Sequence, residues 1–255
     1  INDVSSLRRR QQETHLNSLK ALMTEEDMVQ GMRETVNGAI HQLQGPVNLL
    51  SAAVNILQRR AVDDKQDGAV LSALEEALQA GQAALDNLQE SLPPPLQETK
   101  QPVNINQLIR EVISIDAEKL LAQGITVEWN PSLRLPALIG RERRLRSMFK
   151  QLFDNAIDAM SERVVKHREL TIVTREEKEM VIIEISDSGE GIPADLHVKV
   201  FQPFYSTKAS GQGCRGMGLP MVQEIVSDHS GTVYIDPNYR NGCRVIVQLP
   251  VTSAG

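Results

Sequence analysis

The feature that most limits what this chain can fold into is a seven-residue apolar repeat in its first third. Val29, Val36, Leu43, Leu50 and Leu57 recur every seven residues, and Ile40, Val47 and Val54 form a second row beside them. That spacing lays both rows along one stripe of a helix, the pattern of a coiled coil or bundle helix. Between Ser5 and Arg60 the only proline is Pro46. The polar run at 62–68 breaks the repeat and reads as a turn. A second helix follows, with Leu71, Leu78 and Leu85 in one row and Leu74, Gly81 and Leu88 in another. Two amphipathic helices on a short loop make a helical hairpin. One hairpin alone leaves its apolar stripe without a partner. Two copies would bury it as a four-helix bundle, so the expectation is a homodimer through roughly residues 25–90. The alternative is that the stripe packs on another part of the same chain.

The repeat stops at Ser91-Leu92-Pro93-Pro94-Pro95-Leu96. Three consecutive prolines cannot continue a helix and favour a stiff extended linker. Beyond them the pattern changes. Residues 106–121 and 141–160 read as helices, the second with Leu145, Met148, Phe149, Leu152, Ala156, Ile157 and Met160 on one face. Residues 125–129, 170–174 and 180–186 read as strands, the last two paired. Residues 218–228 read as a helix, and 232–235 with 244–249 as a closing hairpin around Pro237-Asn238 and Asn241-Gly242. Helices on one face of a mixed sheet form a two-layer sandwich. The expected fold class is therefore an all-α helical hairpin, paired as a dimeric four-helix bundle, followed by an α+β two-layer sandwich. The expected boundaries are 1–24 for a leading helix, 25–92 for the hairpin, 93–102 for the proline-rich linker and 103–251 for the sandwich.

Composition excludes some functions. Aromatics make up 3% of the chain, so the core is aliphatic. A net charge of −6 argues against direct nucleic-acid binding, which calls for a basic face, and leaves at most a small basic patch at Arg141, Arg143, Arg144 and Arg146. Cys214 and Cys243 are too few for a disulfide framework or a zinc site. They read as free thiols in a reducing cytoplasm. No apolar run approaches the ~20 residues that span a bilayer, and no signal peptide is visible. The first residue is Ile1 rather than Met, which reads as a fragment of a longer protein.

Four motifs in the second half carry chemistry. They are Asp154-Asn155-Ala156-Ile157-Asp158 in a helix, and Asp187-Ser188-Gly189-Glu190-Gly191-Ile192 directly after a strand. Then come Phe201-Gln202-Pro203-Phe204-Tyr205-Ser206-Thr207-Lys208, and Gly211-Gln212-Gly213-Cys214-Arg215-Gly216-Met217-Gly218-Leu219 running into a helix. Asn155 offers a neutral amide oxygen to a Mg²⁺ that also keeps phosphate oxygens and waters. Asp187, at a strand end, can accept a hydrogen bond from an exocyclic adenine amine. Gly189 and Gly191 let the backbone approach a flat base. The glycines of the fourth motif present N–H groups near a helix start, where anions are favoured. Lys208 and Arg215 can add charge-assisted phosphate contacts. Each motif alone is a common turn or loop; four in this order, each at a strand or helix edge, are far more specific.

This set resembles the N, G1, F and G2 boxes of the GHKL (Bergerat) ATP-binding fold as histidine kinases use it. The resemblance implies ADP or ATP with Mg²⁺ as ligands, Asn155 as the Mg²⁺ ligand, Asp187 as the adenine reader, and residues 201–218 as a mobile lid over the phosphates. The candidate nucleotide-binding set is Asn155, Asp158, Asp187, Gly189, Gly191, Ile192, Phe204, Thr207, Lys208, Gly213, Arg215, Gly216, Met217, Gly218 and Leu219. No P-loop is present. Gln151, four residues before Asn155, stands where ATP-hydrolysing members of the fold resemble one another in carrying Glu.

The hairpin then resembles the dimerisation and phosphotransfer region of those kinases, with a box reading Ile40-His41-Gln42-Leu43-Gln44-Gly45-Pro46-Val47. His41 lies one residue from Ile40 of the apolar stripe, so it is expected to project toward solvent, and Pro46 to kink the helix. Active boxes carry Glu or Asp after the histidine, and that carboxylate takes its proton. Gln42 cannot, Gln44 replaces the usual base, and Gly45 precedes the proline. Removing a positioned base costs about 10²–10⁴-fold in rate. His41 is therefore either a vestigial phosphoacceptor on a signalling helix or a working one.

The box His-Gln-Leu-Gln-Gly-Pro-Val-Asn, joined to Gly-Cys-Arg-Gly-Met-Gly-Leu in the second domain, more narrowly resembles histidine-kinase-like anti-activators of the nitrogen-fixation regulator NifA. Ile1-Asn-Asp-Val-Ser-Ser-Leu-Arg-Arg-Arg10 is similar to the end of a PAS sensor domain running into a signalling helix. That resemblance implies FAD-bearing PAS domains before Ile1. It also implies inhibition of a NifA-type sigma-54-dependent activator favoured by ADP, and a PII-type signalling protein as second partner. The competing expectation is an active histidine kinase that autophosphorylates on His41 and passes phosphate to a response regulator. A third is a bare ATPase.

Overall fold

The structure, a computed structural model, describes residues 2–60, 67–90, 98–161, 167–206 and 216–251. Its compact units are residues 24–96, and residues 1–23 together with 97–255. Helix α1 spans Asn2–Arg60 and runs through Pro46, and α2 spans Asp67–Glu90. In the first of these units the row predicted beside the main stripe turns inward. Ile40 and Val54 are buried, and Val47 packs against α2 at Gly81, where a Cβ would meet Val47 Cγ2 at 3.7 Å. Leu43 and Leu50 of the other row stay 48% and 46% exposed. In this unit Ile40 and Val54 are covered, while Leu43 and Leu50 are left exposed and Val29 and Val36 half-buried. The side chains of His41 and Gln42, and all of residues 61–66 and 91–97, lie outside the described residues.

The other unit contains the α/β layers. After a short strand β1 (Gln101–Val103) come α3 (Ile105–Ala122), β2 (Thr126–Asn130), β3 (Leu138–Gly140) and α4 (Glu142–Met160). They are followed by β4 (Glu169–Glu177), β5 (Met180–Asp187), α5 (Gly218–Asp228), β6 (Thr232–Ile235) and β7 (Cys243–Pro250). The main sheet has the order β2-β4-β5-β7-β6, and β1 pairs with β3 apart from it. β2 runs parallel to β4; the other pairs are antiparallel. The sheet is mixed, as the pattern predicted. The two short strands escaped sequence reading because three residues carry no periodicity, and β1 begins inside residues 93–102, which the prolines mark as linker.

Local chemistry starts the helices. Asn104 caps α3, its side chain accepting the Gln107 N–H at 3.1 Å, a standard N-cap bond. α4 takes its cap from a distant residue. The Glu98 carboxylate accepts the N–H groups of Arg143 at 2.7 Å and Arg144 at 3.3 Å, and its charge suits the positive end of the helix. α4 buries the predicted face and also Phe153 and Arg146. Arg141, Arg144 and Arg146 of the expected basic patch are engaged by acids through their side chains. Arg146 pairs with Glu111 and Glu142, Arg144 with Glu224 and Asp228, and Arg141 with Asp228.

Strand β5 positions the site. Side chains alternate faces along a strand. Val181, Ile183 and Ile185 join the core made by α3, α4, α5 and the sheet. Glu184 and Ser186 face the other side, where Arg175 and Arg244 engage Glu184 and Arg244 Nε donates to Ser186 Oγ at 2.9 Å. The core-facing row continues from Ile185 to Asp187, so a carboxylate ends a line of buried aliphatic side chains.

Candidate functional site

Asp187 is 7% exposed. Its Oδ1 accepts the Gly189 N–H at 2.8 Å and the Cys243 N–H at 3.4 Å. Burial raises its pKa to about 6, and the two N–H bonds only partly offset that. The surrounding backbone leaves no room for side chains. A Cβ on Gly189 would lie 2.8 Å from Asp187 Oδ1 and 2.9 Å from the Ala159 carbonyl oxygen. Gly191 has φ +77°, and a Cβ there would sit 2.7 Å from the Gly242 carbonyl oxygen. A Cβ on Gly242 (φ +127°) would collide with the Asp187 carbonyl oxygen. Gly242 and Cys243 thus complete the cradle. The sequence marked Asn241-Gly242 as a hairpin turn; only the pairing of Asp187 with Cys243 across β5 and β7 brings that turn to the carboxylate. Cys243 is a buried free thiol, with its pKa pushed up to about 12 by burial and then by Asp187.

Asn155 lies on α4, and its Oδ1 accepts the Gln151 Nε2–H at 3.1 Å. Asn155 Nδ2 is buried with no hydrogen-bond partner among the described residues. Asp158 lies one turn further on, 3.9 Å from Lys119 Nζ. Lys119 also holds Asp154 at 2.8 Å, and Lys150 bridges Asp154 at 2.5 Å to the buried Asp116 at 3.2 Å. Desolvation raises the Asp116 pKa, and Lys150 pulls it back. This α3–α4 network was not legible in the sequence, because Lys119 and Asp116 sit in a helix that carries no motif.

The third and fourth motifs meet where they are described. The Phe204 N–H donates to the Gly216 carbonyl at 3.0 Å. Phe204 has φ 65° and Gly216 φ 65°, and a Cβ on Gly216 would lie 2.6 Å from the Tyr205 carbonyl oxygen. Met217 caps α5 and Gly218 is its first residue. A Cβ on Gly218 would collide with Gln151 Nε2. Ile192 and Leu219 pack against a small cluster of Val200, Ile235 and Cys243. Thr207, Lys208, Gly213 and Arg215 lie outside the described residues, as does Cys214. Asp187, Gly189, Gly191 and Ile192 are thus gathered at the β5–β7 end. Gln151 meets the start of α5 at Gly218 and bonds to Asn155.

Residues 140–253 match the family described as histidine kinase-, DNA gyrase B- and HSP90-like ATPases. The matched stretch holds the site described above and is similar to the catalytic domains of histidine kinases. Such domains bind ATP or ADP with Mg²⁺. The chain is 25% identical over 95% of its length to the sensor histidine kinase ZraS of Salmonella typhi. It is 29% identical over 89% to the signal transduction histidine-protein kinase ArlS of Staphylococcus epidermidis, and 28% identical over 81% to the sensory histidine kinase/phosphatase NtrB of Rhizobium leguminosarum. It spans 50%, 50% and 56% of those proteins. Among solved structures, the nucleotide-free catalytic domain of the histidine kinase ThkA aligns at TM-score 0.54 and 28% identity. That match covers 60% of this chain and 96% of that one. Full-length ShkA in complex with AMPPNP shares the fold at TM-score 0.55 and 20% identity, over 87% of this chain and 46% of its own. Among the described residues, no helix is long and apolar enough to cross a membrane.

Proposed function

We propose that this chain is the nucleotide-reading part of a NifL-type anti-activator. Such a protein inhibits a NifA-type sigma-54-dependent activator by direct contact, more strongly with ADP bound. One observation supports the reading: a buried carboxylate walled by glycines accompanies a histidine box whose base position is Gln42. The first suits a nucleotide base; the second lacks the group that would make His41 a nucleophile.

The residues fit a nucleotide. A buried carboxylate that receives only two backbone N–H bonds suits an exocyclic amine, and the glycine cradle admits a flat ring and no side chain. Asn155 offers Mg²⁺ an oxygen that already accepts one bond. Asp158, Ile192, Phe204, Met217 and Leu219 line the same region in this reading. Gly216 and Gly218 are assigned to the phosphates, as are Thr207, Lys208, Gly213 and Arg215, which lie outside the described residues.

Regulation then follows from linkage: ADP strengthens inhibition only if the inhibitory conformation binds it more tightly. Residues 201–219 are the element that differs between the two states. A PII-type protein docks on the nucleotide domain, FAD belongs to PAS sensor domains of the whole protein, and the setting is cytoplasmic. The exposed Leu43 and Leu50 support a homodimer through the hairpin.

The second reading is an active kinase that autophosphorylates on His41 and serves a response regulator. The relatives' names favour it, and ThkA has been solved in complex with the response regulator TrrA. Labelled ATP with Mg²⁺ separates the two. The proposal expects no acid-labile phosphate on the protein and ADP-strengthened capture of NifA. Phosphate that is retained by the wild type and lost in His41→Ala establishes the kinase instead.

A further inference from the structure

We propose that Gln151 is a positioning residue that sets the orientation of the Asn155 carboxamide and couples it to the first turn of α5. This rests on the reading of Asn155 as the group that meets Mg²⁺.

Gln151 and Asn155 are one turn apart on α4, the spacing at which side chains on a helix meet. Gln151 Nε2 donates to Asn155 Oδ1 at 3.1 Å. A carboxamide has two orientations that differ by exchange of O and NH₂, and only one directs a lone pair where a cation can use it. A donor from Gln151 selects the orientation with Oδ1 on its side and leaves the second lone pair of Oδ1 available. Asn155 Nδ2 has no partner of its own among the described residues. Among the described residues, the bond from Gln151 is the contact that favours one orientation.

The same nitrogen touches the other element. A Cβ on Gly218 would collide with Gln151 Nε2 and lie 2.7 Å from Cδ. Gly218 opens α5 directly after the fourth motif. A displacement of α5's first turn toward α4 must therefore move Gln151, and with it the donor that holds Asn155. A side chain at 218 would displace the end of Gln151.

The test is a titration of ADP into the whole chain in excess Mg²⁺ and in excess EDTA, giving the ratio of the two affinities. Gln151→Met keeps the length of the side chain and removes its donor. The ratio is expected to fall about fivefold, the change one neutral hydrogen bond carries, while the nucleotide-free protein still unfolds in one cooperative transition. Gly218→Ala leaves Gln151 in the sequence but displaces it, and is expected to lower the ratio similarly. The double variant is expected to lose no more than either single one, since both act through the same bond. A ratio that survives in Gln151→Met overturns the proposal. If Gln151→Met does not fold, an unchanged ratio in Gly218→Ala overturns it equally. A wild-type chain that binds ADP equally well with and without Mg²⁺ removes the role of Asn155 and the proposal together; one that binds no ADP removes the nucleotide reading itself.

Discussion

Replacing Asp187 by Asn is expected to stabilise the nucleotide-free domain at pH 8 while weakening its hold on ADP. The carboxyl group has a folded-state pKa of about 6 against an ordinary 3.8. A raised pKa means that the folded state prefers the protonated form. The stability this group contributes is whole below pH 3.8 and is lost as pH rises through 6. Holding the ionised form in that buried place costs about 3 kcal/mol at pH 8. Asparagine has the same shape, keeps an oxygen for the Gly189 and Cys243 N–H groups, and never ionises. Asp187→Asn should therefore exceed the wild type by up to about 3 kcal/mol at pH 8. The gap should narrow as pH falls through 6 and be almost closed at pH 4. Urea unfolding followed through Trp129, the one tryptophan in the chain and part of β2, reads this domain alone. The same substitution turns a charged acceptor into a neutral one, and ADP affinity should drop about 10–100-fold. A variant less stable than the wild type at pH 8, or a gap that does not close toward pH 4, refutes the argument.

Other outcomes follow from single contacts. Glu98→Ala removes the carboxylate from the start of α4 and should cost about 0.5–2 kcal/mol, the range for a lost N-cap, measured by the same unfolding. His229 is buried; its Nε2 accepts the Arg141 N–H at 2.9 Å and its Nδ1 meets the Ile225 carbonyl at 2.7 Å. Burial holds its pKa below 6.5. The stability from its neutral form is therefore whole above pH 6.5 and lost as pH falls through the folded-state value. His229→Gln should flatten that acid limb in a pH series of melting temperatures. Leu43→Glu with Leu50→Glu should turn a dimer into a monomer in sedimentation, because it places charge on apolar positions that the hairpin leaves exposed.

The periodic parts of this fold were legible from the sequence. The apolar faces of α4 and β5 are set by residues three and four, or two, apart, and those spacings survive into the core. Phe153 was missed on α4 although its neighbours were not, because a helix buried from two sides hides more than one stripe. The acidic end of β5 and its glycines were legible as a motif, since Gly189 and Gly191 follow Asp187 in the chain. Gly242 and Cys243 were not, because strand pairing over more than fifty residues brings them there. The ion pairs of Lys119, Asp116 and Lys150, and the cap from Glu98, depend on how helices and linker dock. No local pattern carries that information.

Calorimetric titration of ADP with Mg²⁺ into this chain and into Asp187→Asn tests the central claim most directly. The account predicts one site per chain in the wild type, and in the variant a loss of affinity without loss of folded protein. Saturating ADP that gives no binding heat with the wild type, or binds both proteins alike, contradicts it.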